Sequence, residues 1–201
     1  MAAEPERALR ADARQNRERL LAVAATAFTR DGANASLKAI AREAGVGIGT
    51  LYRRFPTRET LVEAVYRNEV ARLCDAAPEL ATRLAPLDAL REWMGRFVEF
   101  MATKHGMADV LRVVLVSEDD RMRTRELLRD AIAALLDAGV AAGVIRRGLD
   151  PDDVLMGLGG VALIAEGPAQ RPLALRLIGL LVHGVRPAAT TSARPRGRAS
   201  R

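Results

Sequence analysis

Residues Ser36 to Phe55 read SLKAIAREAGVGIGTLYRRF, and their types are spaced for contact with a polyanion. Leu37, Ile40, Ala41 and Ala44 fall at i, i+3, i+4 and i+7 of a short helix, with Ser36 as its N-cap and Gly45 as its stop. A second short helix, over about Gly47 to Arg54, brings Leu51 and Phe55 to the same core. Ala44-Gly45-Val46 is then a tight turn between two amphipathic helices, a helix-turn-helix pattern. Such a turn sets the second helix proud of the first, so that it can enter a major groove about 12 Å wide. Its exposed face is Ile48, Gly49, Thr50, Tyr52, Arg53 and Arg54. Small residues at its start admit the backbone close to DNA. Thr50 and Tyr52 offer hydroxyls to phosphate oxygens, and the two arginines offer charge and bidentate donors. Two roles stay open: Ile48 is either a core contact or an apolar contact to a thymine methyl, and Arg53 reaches either a guanine or a phosphate.

Composition agrees with that reading and narrows the rest. Lys and Arg total 31 against 25 Asp and Glu, a net charge of +6, which favours a polyanionic partner. Hydrophobic residues make up 49% of the 201, enough for a core, while aromatics are only 3% and alanine and leucine abound, which suits packed helices better than a sheet. Cys74 stands alone, which rules out an internal disulfide framework and a cysteine-rich zinc site and fits a reducing compartment. With only His105 and His183 besides, no nucleophile–base pair or metal cluster can be assembled, so neither catalysis nor a cofactor is expected. The longest uncharged apolar stretch, Leu155 to Ala165, is too short to span a bilayer, and the polar start is no signal peptide; the expectation is a cytoplasmic protein without membrane contact.

The elements that must position these residues read as all-α, with no period-two alternation of useful length. Residues 1–14 lack an apolar period and are expected as a flexible arm; Arg7, Arg10 and Arg14 in it, with Arg17 just beyond, either touch DNA or are merely solvated. A first helix is expected from about Gln15 to Arg30, and a fourth, capped at the Pro56-Thr57 break, to about Cys74; after Pro78 and Pro86 the character changes to longer helices. Leu87, Leu90, Met94, Phe97, Val98 and Met101 stripe a fifth, ending near His105-Gly106; a short sixth follows from Met107 to Val116. Glu118-Asp119-Asp120 and Asp150-Pro151-Asp152-Asp153 mark the starts of two more helices rather than cation sites. The last helix, about Pro172 to Val185, is apolar nearly all round and needs a second burial partner, another subunit. Residues 187–201 are expected as a disordered basic tail carrying Arg194, Arg196, Arg198 and Arg201. The division is thus a helix-turn-helix unit over 15–66 and a helical unit over 67–186. Gly157, Gly159 and Gly160 lie inside a helix with no strand before them, so they are not a dinucleotide loop but small residues for close helix contact. His183 reads as an interface residue and His105 as a helix-end residue.

The run Ser36-Leu37, Ile40-Ala41, Ala44-Gly45-Val46, Gly49-Thr50-Leu51-Tyr52, Phe55, Glu59 and Leu61 resembles the DNA-binding domain of the TetR family of bacterial transcriptional regulators, over roughly Gln15 to Tyr66. The resemblance implies about nine helices, a homodimer formed through the last two, double-stranded operator DNA as partner and a small-molecule effector in the C-terminal core, which makes 67–186 the ligand-binding and dimerisation unit. Carried over position by position, Lys38 would contact phosphate, Gly47 would cap the recognition helix, and Thr50 and Tyr52 would hold phosphates. Ile48 and Arg53 would lie towards base edges, and Arg58 would reach phosphate from the start of helix four. The chain departs from the family where Gly47 replaces the frequent Ser or Thr, Arg54 the frequent His and Arg58 the usual Lys. The stretches Leu87–Phe100 and Asp150–Gly160 are similar to the C-terminal halves of SbtR-like members. Trp93, Phe97, Phe100, Met101, Met107 and Leu111 are individually core residues, and collectively what an apolar effector pocket would use. The expected function is a ligand-released repressor on a pseudo-palindromic operator. The alternative is a small-molecule-binding helical sensor without operator binding, towards which Gly47 and Pro56 point.

Overall fold

Leu20, Leu21, Ala24 and Phe28 recur at helical spacing, and they anchor a core that continues without interruption from the N-terminal head through the C-terminal half. The computed structural model describes residues 3–115, 117–165 and 167–188. Among these the chain forms nine α-helices, two short 3-10 turns and no strand: α1 (Ala3–Asp31), α2 (Leu37–Glu43), α3 (Ile48–Arg54), α4 (Arg58–Arg83), α5 (Pro86–Gly106), α6 (Ala108–Val114), α7 (Glu118–Ala141), α8 (Pro151–Ile164) and α9 (Arg171–Gly184). The expected disordered tail lies outside the described residues from position 189 onward, and so do its four arginines.

Two expectations about helix extents are corrected. Residues 3–14, expected as a loose arm, continue α1; alanine, arginine and glutamate have high helix propensity, which an apolar-period test does not register. α4 does not stop near Cys74 but runs through Pro78 to Arg83. Proline's backbone angle suits a helix, but inside α4 Pro78 gives up the bond to the Cys74 carbonyl and crowds that carbonyl with its ring, a cost the packing of the helix must offset. Pro78 itself is exposed, while Leu73, Ala76, Ala77 and Leu80 bury the opposite face and hold the helix together. Consequently the boundary expected at 66/67 falls inside one continuous helix.

Caps behave as the sequence indicates. Ser36 Oγ accepts the Ala39 amide at the start of α2, and Thr57 and Thr60 form a reciprocal capping box at the start of α4. Asp150 accepts the Asp152 amide at 2.9 Å where α8 begins. Asp152 then ties α8 to α7 through Arg125 at 3.0 Å and Arg129 at 3.0 Å; these guanidiniums, Arg125 foremost, hold its carboxyl below the usual carboxylate range. α5 occupies the centre, packed on α1, α4, α7, α8 and α9. Its Trp93 is fully buried and donates its indole N–H to the Leu73 carbonyl of α4 at 2.8 Å.

Candidate nucleic-acid interface and core cavity

The turn between α2 and α3 is closed by backbone bonds alone. Gly45 sits in the left-handed region at φ 67, its amide bonds the Arg42 carbonyl at 3.1 Å, and the Val46 amide reaches back to Ala41 at 2.9 Å. This double closure ends α2 and reverses the chain within two residues; an L side chain at Gly45 would be strained. Ile40, Ala41, Ala44, Leu51 and Phe55 are buried beneath it. With Leu51 and Phe55 locked inward, helical spacing forces the other side of α3 outward.

The residues expected on that side are there. Gly47, Ile48, Gly49, Tyr52, Arg53 and Arg54 are exposed, Thr50 is half-buried, and Lys38 stands exposed on α2. Ile48 is 39% and Tyr52 48% exposed, so Ile48 faces outward rather than filling the core. Gly47 caps α3 without a side-chain bond, its carbonyl accepting the Thr50 amide at 2.9 Å. A Cβ at Gly47 would meet only Thr50 Oγ1 at 3.8 Å, so nothing steric demands glycine there.

Arg58 departs from its expected place. Its guanidinium donates to the Ala35 carbonyl at 2.7 Å and the Gly32 carbonyl at 3.2 Å, and lies 5.1 Å over the Phe28 ring. Rather than pointing to a phosphate, it clamps the α1–α2 connection onto α4. The physical reason is that these two carbonyls end a short turn and face a planar donor with matching fork geometry.

A cavity of about 500 Å³ lies among α4, α5, α6, α7 and α8. Of the six pocket candidates, Phe97, Phe100, Met101 and Leu111 line it. Trp93 and Met107 are buried in the core and do not. Aromatic contacts run Trp93–Phe97 at 5.9 Å, Phe97–Phe100 at 6.1 Å and Phe100–Tyr66 at 6.0 Å, so a run of tilted and T-shaped ring pairs joins the core to the cavity wall. Missed from the sequence were Tyr66 of α4, Lys104 of α5 and Thr124 of α7. Burial raises the Tyr66 hydroxyl above its ordinary value against the opposing effect of the Thr124 hydrogen bond, and burial lowers the Lys104 ammonium. No sequence pattern marked these three, because they come from three helices whose crossing is a tertiary fact.

The last turn of α5 touches both regions. Lys104 and His105 face the cavity, while Thr103 Oγ1 lies 2.8 Å from Thr29 Oγ1 of α1. Gly106 packs directly on the α1 backbone at Phe28 and Thr29.

On α8 and α9 an apolar face is left open: Met156, Leu163, Ile164, Leu175 and Leu180 are all at least half exposed. α9 thus buries only Ala174, Ile178 and Val182 within its own chain. A Cβ at Gly159 or Gly160 would meet nothing within 4 Å. Among the described residues no three His, Cys, Asp or Glu side chains could jointly hold a metal ion, and no helix is long and apolar enough to cross a membrane.

A basic recognition helix held out from a three-helix head, under a helical core with its own cavity, defines a helix-turn-helix DNA-binding regulator. Residues 20–65 match the model for bacterial regulatory proteins of the tetR family, and residues 85–187 match the C-terminal domain of SbtR-like transcriptional regulators. The chain belongs to the TetR family of transcriptional regulators. It is similar to a TetR transcriptional regulator from Streptomyces coelicolor, at 50% identity and TM-score 0.80, covering 86% of this chain and 99% of that one. A TetR transcription regulatory protein from Mycobacterium vanbaalenii is 32% identical at TM-score 0.72, covering 89% of this chain and 99% of that one. An HTH-type transcriptional regulator of Staphylococcus aureus is 38% identical over 63 residues, 31% of this chain. The chain spans about a third, 34%, of the length of that curated relative.

Proposed function

We propose that the protein is a dimeric repressor that holds a pseudo-palindromic operator and is released when a small molecule fills the cavity among α4 to α8. The observation that carries this reading is the outward face of α3, where Tyr52, Arg53 and Arg54 stand exposed behind a locked Leu51 and Phe55. Lys38, Thr50 and Tyr52 engage phosphates and set the register; Arg53 and Ile48 reach base edges. A second copy covers the apolar face of α8 and α9 about a twofold axis, so that the same patch is buried on both subunits. The two heads then present their α3 helices to successive major grooves about 34–36 Å apart or a multiple of that.

Release is a population shift: an effector that prefers the conformer with misplaced heads weakens operator binding by that same preference. α4 supports it, since it carries Leu61 and Val65 into the head's core and Tyr66 into the cavity wall. The last turn of α5 supports it equally, being cavity wall on one side and α1 contact on the other.

The test is a titration of labelled upstream DNA across salt concentrations. Tyr52→Phe is expected to weaken binding to all sequences alike. Lys38→Ala is expected to do the same and to reduce the log–log salt slope by about 1. Arg53→Ala is expected to relax preference at particular base pairs. Absence of salt-dependent binding to any duplex overturns the reading and leaves the sensor without an operator.

A further inference from the structure

The cavity's walls are sorted by chemistry. Its interior is apolar, with Phe97, Phe100, Met101, Leu115 and Leu128 among the lining side chains, whereas among the described residues every ionisable group along it other than the phenol of Tyr66 is basic: Lys104, His105, Arg112, Arg121 and Arg125. Among the described residues no carboxylate lines it. Two of these charges are already answered, Arg112 by Asp109 at 3.6 Å and Arg125 by Asp152 at 3.0 Å. Asp120, which adjoins Tyr66, lies 3.9 Å from Arg67. Lys104 and Arg121 have no ion pair among the described residues, and Lys104 is half-buried. An ammonium drawn out of water without a counter-charge is costly to hold, and the cost is recovered when an anion arrives.

We propose that the effector is an organic anion with an apolar body: a carboxylate or phosphate head bound between Lys104 and Arg121, and an aliphatic or aromatic tail laid along Phe97, Phe100 and Leu128. The volume, about 500 Å³, falls within the range of small-molecule sites. This inference rests on reading the cavity as the effector site. It adds to that reading the sign of the ligand's charge and the residues that select it.

Trp93, the one tryptophan of the chain, lies 5.9 Å from the cavity residue Phe97 and supplies the reporter. Its fluorescence, with calorimetry as a second readout, is followed while the full chain is titrated with decanoate, decyl phosphate and the neutral 1-decanol. The anions are expected to bind at least about tenfold more tightly than decanol, since a charge-assisted contact is lost in the alcohol. Whichever of decanoate and decyl phosphate binds more tightly identifies the head group. Lys104→Met keeps the aliphatic stem and is expected to bring the anion down to the affinity of decanol without changing decanol itself. Arg121→Gln, at an exposed position, is expected to act in the same direction and serves where the lysine variant fails to fold. Decanol binding as tightly as the anions, or an anion affinity unmoved in both variants, overturns the charge assignment and leaves the cavity an effector site. Binding of none of the three overturns both.

Discussion

Gly106→Ala is the sharpest test of how the head is joined to the cavity. A Cβ at Gly106 would collide with the Phe28 carbonyl oxygen, and would lie 2.8 Å from the Phe28 carbonyl carbon and 3.2 Å from Thr29 Cα. Ordinary carbon contacts sit at about 3.5–4.0 Å, so α1 and α5 must part by roughly 1 Å. Every colliding atom is backbone, which leaves no rotamer to give way. Overpacking of this kind costs about 1–3 kcal/mol. The helical preference for alanine over glycine, about 1 kcal/mol in a helix interior, is reduced at the last residue of α5. The net expectation is a loss of about 2 kcal/mol, or roughly 4–8 °C in melting temperature for a chain of this size. Separation also breaks the 2.8 Å contact of Thr29 with Thr103, so operator affinity should fall with stability. Gly95→Ala, in the same helix, is the control: its Cβ meets nothing within 4 Å, and the variant should gain up to about 1 kcal/mol. Thermal melts by circular dichroism on both variants decide the matter. If Gly106→Ala melts at or above the parent, the close helix contact does not govern how the head is held.

Two further perturbations separate roles that sequence alone confuses. Arg58→Ala removes donors from the Ala35 and Gly32 carbonyls and should cost about 2–3 kcal/mol by thermal melt while leaving the salt slope of DNA binding unchanged. A shallower slope with an unchanged melting temperature would return Arg58 to the phosphate role. Leu180→Glu places a carboxylate at a position 68% exposed in a single chain, so the helix content should be kept. Sedimentation should then report a monomer where the parent sediments as a dimer, and an unchanged mass would remove α9 from the subunit seam.

The outward residues of α3 were legible because their placement is local. Gly45 stops α2, Leu51 and Phe55 point inward, and Ile48, Tyr52 and Arg53 must then point out; each relation spans a few residues of one helix turn or cap. The cavity was only half legible for the opposite reason. Periodicity marked Trp93, Phe97, Phe100, Met101, Met107 and Leu111 as inward, but inward residues meet either a partner or a void. Trp93 meets the Leu73 carbonyl and Phe97 meets the void, although the two lie one turn apart. That choice depends on how five helices cross, and so does the arrival of Tyr66, Lys104 and Thr124 beside them.

From the chain of residues by itself came the all-α class, the helix-turn-helix with its caps and register, and the excess of positive charge. The first two rest on interactions between positions three to five apart, and the third is a matter of composition alone. Only the tertiary structure turned Arg58 from an expected phosphate contact into an internal clamp, carried α4 through Pro78, and left Lys104 half-buried beside a cavity that no carboxylate among the described residues lines. A long side chain takes its direction from whatever carbonyl, ring or solvent lies within reach, and that neighbourhood exists only once distant segments have packed.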